Sequence, residues 1–231
     1  MREPGHRRAV LLLSGGLDSA TCLLIAREEG REIFALSFDY AQRHSIELDR
    51  ARALALRYGV REHRVLRLEL PEAGSSALTD PSRQVPRGGL GREPIPITYV
   101  PGRNTIFLSL AAAWGEALEC GDLFIGANAL DYSGYPDCRP DFLDAFERLV
   151  NLGTRAAVEG RLVFRVRAPL LRLTKAQIIE RAAGLGLDFA LTSSCYDPAA
   201  DGLPCGGCDS CLLRRKGFRE AGMIDPLAKA L

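Results

Sequence analysis

Five short runs of apolar or alternating residues, at 9–13, 32–38, 63–70, 122–125 and 162–166, have the length and spacing of β-strands. Between them the apolar positions recur with helical spacing. Segments 20–29, 46–58 and 106–120 run into Gly30, Gly59 and Gly121, where C-terminal glycine caps belong. Pro140 opens a further helix, and Thr174-Lys175-Ala176-Gln177 has the form of a capping box. Strands alternating with helices predict an α/β fold, a Rossmann-like parallel sheet with helices on both faces and ligands received beyond the carboxyl ends of the strands. Residues 71–102, rich in proline and glycine, interrupt the pattern and predict a long loop, with a lid as one reading. From residue 191 the chain becomes cysteine-rich. The expected division is an α/β domain over 8–190 and a small subdomain over 191–231.

Composition narrows the class. The 231 residues, 47% hydrophobic, suffice for one sizeable core plus an appendage. No apolar run approaches the roughly 18 residues of a membrane span, and the first ten residues lack an apolar signal core, so a soluble cytoplasmic protein without a membrane partner is expected. Scattered along the chain, 30 Lys and Arg balance 29 Asp and Glu to a net charge of +1. That leaves no broad electrostatic footprint for nucleic acid and favours a small-molecule partner. Of seven cysteines, Cys22, Cys120 and Cys138 stand apart and read as buried apolar residues or, for Cys138, part of a loop motif.

The other four form Cys195-x9-Cys205-x2-Cys208-x2-Cys211. Each C-x2-C turn brings two sulfurs to one centre, and Gly206 and Gly207 permit the bend. Structural zinc is the expected occupant, with an iron–sulfur cluster as the competing reading. A second motif, Leu11 to Cys22, passes from a strand through Ser14, Gly15, Gly16, Leu17, Asp18 and Ser19 into a helix. Free amides and hydroxyls at a helix N-terminus attract phosphate. Neither GxxxxGK[ST] nor GxGxxG is present, so the loop is neither a Walker loop nor a dinucleotide fingerprint.

SGGLDS resembles the signature of the ATP pyrophosphatase superfamily, in which the loop holds the pyrophosphate of ATP while an acceptor oxygen is adenylated. Five further stretches narrow the resemblance: FDYAQRH (38–44), YVPGRN (99–104), DYSGYPDCRPDF (131–142), PLLRLTK (169–175) and CGGCDSC (205–211). In order and across nearly the whole chain they resemble the 7-cyano-7-deazaguanine synthase family, QueC. Ala41 stands where that family usually has glycine, and Ser193 where tryptophan is common.

The resemblance implies an ATP-dependent ligase that converts 7-carboxy-7-deazaguanine and free ammonia to the nitrile in queuosine precursor biosynthesis. The expected steps are carboxylate adenylation, amide formation and dehydration. It further implies ATP, magnesium and zinc, and a homodimer. The expected ATP-binding residues are Leu13, Ser14, Gly15, Gly16, Leu17, Asp18, Ser19, Ala20, Thr21, Cys22, Leu23 and Asn104. Asp18, Lys175 and Arg103 are expected at the reaction itself, the two cations neutralising phosphate. Asp131 or Asp137 would accept the adjacent N–H donors of the deazaguanine edge, with Tyr132 or Tyr135 stacked on the base. His44 reads either as a general base or as a structural histidine. Competing functions are a tRNA sulfur transferase on the same fold and a non-catalytic zinc-ribbon module.

Overall fold

The computed structural model describes residues 8–42, 46–69, 76–80, 82–88, 95–130, 134–199 and 201–228. Its centre is a sheet of β1 (Arg8–Leu12), β2 (Glu32–Asp39), β3 (Glu62–Arg67), β4 (Asp122–Phe124) and β5 (Arg165–Arg167). The strands lie in the order β3-β2-β1-β4-β5 and all pairs are parallel. Helices α1 (Leu17–Glu28), α2 (Ile46–Arg57), α3 (Arg103–Ala117), α4 (Pro140–Gly153), α5 (Arg155–Val158), α6 (Lys175–Gly184) and α7 (Asp209–Glu220) complete it.

The strand β1 reads as an unbroken apolar run because both of its faces are covered, as in parallel sheets generally. Ala9 and Leu11 point into a core shared with α1, α2, α6 and α7, where Leu23, Leu54, Ile178 and Phe218 are buried. Val10 and Leu12 point the other way, into a core with Leu108 and Trp114 of α3 and Leu143 and Phe146 of α4. Phe218, from the cysteine-rich end of the chain, packs edge-on against Phe189 with ring centroids 4.9 Å apart. The C-terminal helix therefore shares a core with the α/β body.

Element by element, the pattern-based expectations hold to within a few residues, with physical reasons for the differences. The capping box forms as expected: Thr174 Oγ1 accepts from Gln177 N–H, and Gln177 Oε1 accepts from Thr174 N–H. Gly30 and Gly59 take positive φ at their helix ends. Gly121 does not; the left-handed residue after α3 is Glu119, at φ 53°. Gly121 is instead a close-approach site, since a Cβ there would lie 2.1 Å from the Val163 carbonyl oxygen. The last strand begins at Arg165 rather than 162, because Leu162 and Phe164 turn inward to the α3–α4 core.

The described parts of the 71–102 segment are packed down. Ala77 and Val85 join Cys195, Cys208 and Cys211 in a small core, Gly88 N–H donates to the Gly207 carbonyl at 3.1 Å, and Arg87 pairs with Asp197. They form a strap over the cysteine cluster.

Candidate active site

The chain leaves β1 toward β2 on one side and returns to place β4 on the other, so the carboxyl ends of β1 and β4 flank a topological switch point. A cavity of about 320 Å³ opens there. The loop after β1 forms one wall, and its hydroxyls brace its backbone. Ser14 N–H donates to Ser19 Oγ at 3.2 Å, Gly16 N–H donates to Ser14 Oγ at 3.3 Å, and Ser19 Oγ donates to the Gly16 carbonyl at 3.0 Å. Leu13, Ser14, Gly16, Leu17, Asp18 and Ser19 line the cavity.

The remaining loop candidates are placed otherwise. Gly15 is turned away, at φ +81°, with its Cα pressed on the first turn of α2; a Cβ would lie 2.2 Å from the Glu47 carbonyl oxygen. It shapes the loop without facing the cavity. Ala20, Thr21, Cys22 and Leu23, expected to bind ATP, are each fully buried inside α1 and are not among the residues that line the cavity. Thr21 Oγ1 donates to the Leu17 carbonyl within its own helix, and the Cys22 thiol, pushed up by burial, donates to the Ile125 carbonyl.

From α6, Lys175 reaches across to Asp18, its Nζ 2.8 Å from each carboxylate oxygen. Both residues line the cavity, where the cation expected to neutralise phosphate forms a direct ion pair with the loop aspartate. Arg103, at the start of α3, lines another wall beside Tyr40, Tyr135 and Glu47. Burial opposes its charge, but the phenol oxygens of Tyr40 and Tyr135 outweigh that and hold its pKa above the ordinary value.

Asn104 lines the cavity, yet its amide Nδ2 donates to the Asp137 carbonyl at 3.0 Å and to Cys138 Sγ at 3.2 Å. Asp137, expected as a reader of the base, is buried outside the cavity lining, and its carboxylate accepts the Asn104 backbone N–H at 3.1 Å. Gly102 precedes α3 without a side-chain cap, so this carboxylate supplies one from outside the helix. Tyr135 does line the cavity; its hydroxyl lies 2.8 Å from Thr98 Oγ1. Asp131, Tyr132 and His44 lie outside the described residues.

Several lining residues are not among those the sequence singles out for the site. Tyr196 and Arg214 arrive from the C-terminal segment, and Tyr40 from the end of β2. Ser193 N–H donates to the Gly15 carbonyl at 2.9 Å, so the segment that leads to the cysteines also fixes the loop. Gly126, just past β4, was legible in principle as a glycine closing an apolar strand. A Cβ there would lie 3.0 Å from Ser19 N, so glycine is what lets β4 end against the N-terminus of α1.

Cys195, Cys205, Cys208 and Cys211 come together with all four sulfurs within 4.8 Å of one another. A tetrahedral site with metal–sulfur bonds of about 2.3 Å sets its sulfurs roughly 3.8 Å apart, so the four fit a four-thiolate metal site. Hydrogen bonds from Cys195 and Cys211 pull the Cys208 thiol far below its ordinary pKa, while Cys195 is pushed up. Such a crowd of sulfurs is relieved by a cation. Cys195 also borders the cavity, next to Tyr196.

Comparison with known proteins agrees with this geometry. The family model described as "Queuosine biosynthesis protein QueC" matches residues 8–222. The 7-cyano-7-deazaguanine synthase of Syntrophotalea carbinolica is 58% identical over 224 residues, covering 97% of each chain. That of Syntrophobacter fumaroxidans is 57% identical over 229 residues, 98% of this chain and 97% of its own. Among solved structures, NMN synthetase from Francisella tularensis shares the fold, with a TM-score of 0.50 and 16% identity over 98% of this chain and 82% of that one. A match this long, with the phosphate-type loop, the Lys175–Asp18 pair and the four cysteines each in place, makes the chain a member of the QueC family.

Proposed function

We propose that this cavity converts 7-carboxy-7-deazaguanine, ammonia and ATP to 7-cyano-7-deazaguanine. The carrying observation is that the Ser14–Ser19 turn, the Lys175–Asp18 pair and Arg103 meet at one cavity at the switch point of the sheet. Curated relatives 57 and 58% identical over nearly the whole chain carry the name 7-cyano-7-deazaguanine synthase.

ATP would lie with its phosphates on the free amides at the start of α1, with magnesium offsetting their charge. Lys175 would follow the negative charge that moves to the pyrophosphate as the acid is adenylated. A carboxylate resists amines until one oxygen becomes a leaving group, so adenylation precedes attack by ammonia, and a second activation of the amide oxygen allows its loss as the nitrile forms. Tyr135 and Tyr196 offer flat faces for the deazapurine. Zinc is the proposed occupant of the four cysteines; a closed four-sulfur site has no open position, so its part is to hold residues 191–231 and Tyr196 against the body.

A cytoplasmic homodimer completes the proposal. Exposed Leu149 and Leu152 on α4, Val158 on α5 and nearby Val163 provide apolar surface in support of self-association. The sulfur-transferase and zinc-ribbon readings find no support among the curated relatives.

The test is mass-spectrometric product analysis of the metal-loaded protein with 7-carboxy-7-deazaguanine, ammonium, magnesium and ATP, beside a Ser14→Ala, Asp18→Ala double variant. Nitrile from the native protein and none from the variant is the expected result. An untouched acid in the presence of bound ATP would overturn the assignment.

A further inference from the structure

Nitrogen entering as ammonia must lose three protons to become a nitrile. One leaves when its lone pair forms the C–N bond and the C–O bond to AMP breaks. Two more leave after the amide oxygen attacks the α-phosphorus of a second ATP, releasing pyrophosphate, and the C–O bond then breaks to expel AMP. Near neutral pH most ammonia is ammonium, which adds a fourth. The site therefore needs a proton acceptor beside the reacting carbon.

Most titratable groups lining the cavity are unsuited to that task. Lys175, Arg103 and Arg214 are cations, and Arg214 is locked onto Asp225 and Thr192. Burial pushes the Tyr40 and Tyr196 phenols above their ordinary pKa, and raises the Cys138 thiol to about 11. Two carboxylates line the cavity among the described residues, and Asp18 is held through both oxygens by Lys175. The other is Glu47.

Glu47 lies in the first turn of α2, and its backbone carbonyl occupies the space beside Gly15 where a Cβ would go. The residue is thus fixed directly against the loop assigned to ATP and lines the cavity. An acid in a first helical turn ordinarily serves the helix dipole, which favours its charged form. Here burial dominates and raises its pKa to about 7, with Arg103 of α3 pulling the other way. Tyr40, just past β2, lines the same cavity; burial raises its pKa, Arg103 opposes that, and the Glu47 charge adds to the rise. From α1, α6 and α7, Asp18, Lys175 and Arg214 border the same cavity.

We infer that the Glu47 carboxylate accepts the protons released by the reacting nitrogen at both the amide-forming and the nitrile-forming step. This rests on the proposed function and assigns a catalytic residue to it. An acceptor with a pKa near the working pH exchanges protons in both directions, so one carboxylate reloads between steps.

The test is Glu47→Gln in the metal-loaded protein, measured beside the native one by two readouts. The first is acid-dependent exchange of labelled pyrophosphate into ATP, which reports adenylation alone. The second is amide and nitrile formation from ammonium. The expected result is native-like exchange and a fall of about 10²-fold or more in ammonia-dependent amide and nitrile formation. Nitrile at the native rate would overturn the inference. So would loss of exchange together with product in a variant that ATP still stabilises thermally, because Glu47 would then serve binding. A native protein without acid-dependent exchange would defeat the proposed function itself, and this inference with it, before the variant enters the comparison.

Discussion

Lys175 Nζ lies 2.8 Å from both carboxylate oxygens of Asp18, joining the N-terminus of α6 to that of α1 across 157 residues of sequence. The pair is partly buried, with the two side chains 14% and 28% exposed. Lys175→Met is expected to reduce ATP-dependent turnover about 10²-fold, the usual cost of one preorganised charge at a site of developing charge. The stability loss should be about 1 to 2 kcal/mol, between the limits for exposed and buried pairs. Steady-state kinetics and denaturant melts on one preparation separate the two effects.

Gly15→Ala and Gly30→Ala form a matched comparison. Both glycines take positive φ, at +81° and +72°, but only Gly15 has backbone in the way of a Cβ; nothing lies within 4 Å at Gly30. Gly30→Ala should cost about 1 kcal/mol from backbone strain alone. Gly15→Ala should cost more, because α2 must move away from the loop, and ATP-dependent thermal stabilisation should vanish with it. Equal losses in the two variants would show that the α2 contact is unimportant.

The Arg214–Asp225 pair clamps the C-terminal segment. Arg214 Nε and Nη2 reach the two Asp225 oxygens at 2.7 and 2.9 Å, and Nη1 donates to Thr192 Oγ1 at 2.7 Å, with both charged side chains nearly buried. Asp225→Ala leaves a buried guanidinium uncompensated and is expected to destabilise by about 3 kcal/mol or more in chemical denaturation. Thr192 precedes Ser193, whose N–H holds the Gly15 carbonyl, so weaker ATP binding should accompany the loss.

Glu47 makes stability depend on pH with a definite sign. Its pKa rises on folding from an ordinary carboxylate value of 4.5 to about 7, so between those values the folded protein holds a proton that the unfolded chain has released. Stability from this group is present below about pH 4.5 and is lost as pH rises through about 7. Glu47→Gln cannot lose that proton. Its stability relative to the native protein should therefore climb across this window, read from urea midpoints at a series of pH values.

Metal removal should be resolved from loss of ATP binding. Metal analysis is expected to find zinc held by Cys195, Cys205, Cys208 and Cys211, and chelation should expose their thiols to titration and lower the unfolding midpoint. The strap through Arg87 and Gly88 leans on the same cluster, so proteolysis within 76–88 should accelerate when the metal is stripped. Cys208→Ser should reproduce both changes.

What the sequence determined by itself is whatever local chemistry dictates. Apolar runs at 9–13 and 32–38 specify buried parallel strands, Thr174 and Gln177 cap α6 by their own side chains, and the spacing of the four cysteines brings sulfurs together through tight turns. SGGLDS predicts an anion-receiving helix start for the same reason, since free amides at the start of a helix need a partner. Beyond it, Ala20 to Leu23 lie within α1, which sits between the sheet and α6 and is buried nearly all round, so no polar face marks where the site ends. Asp137 is a different case: a loop aspartate has no periodicity, and only packing turned it onto the start of α3. The tertiary structure alone decided that Glu47, Tyr40, Tyr196 and Arg214, drawn from four separate segments, share one cavity. Their meeting depends on the strand order that sets β1 beside β4 and on the C-terminal helix closing over the gap, and neither is encoded in any short stretch of chain.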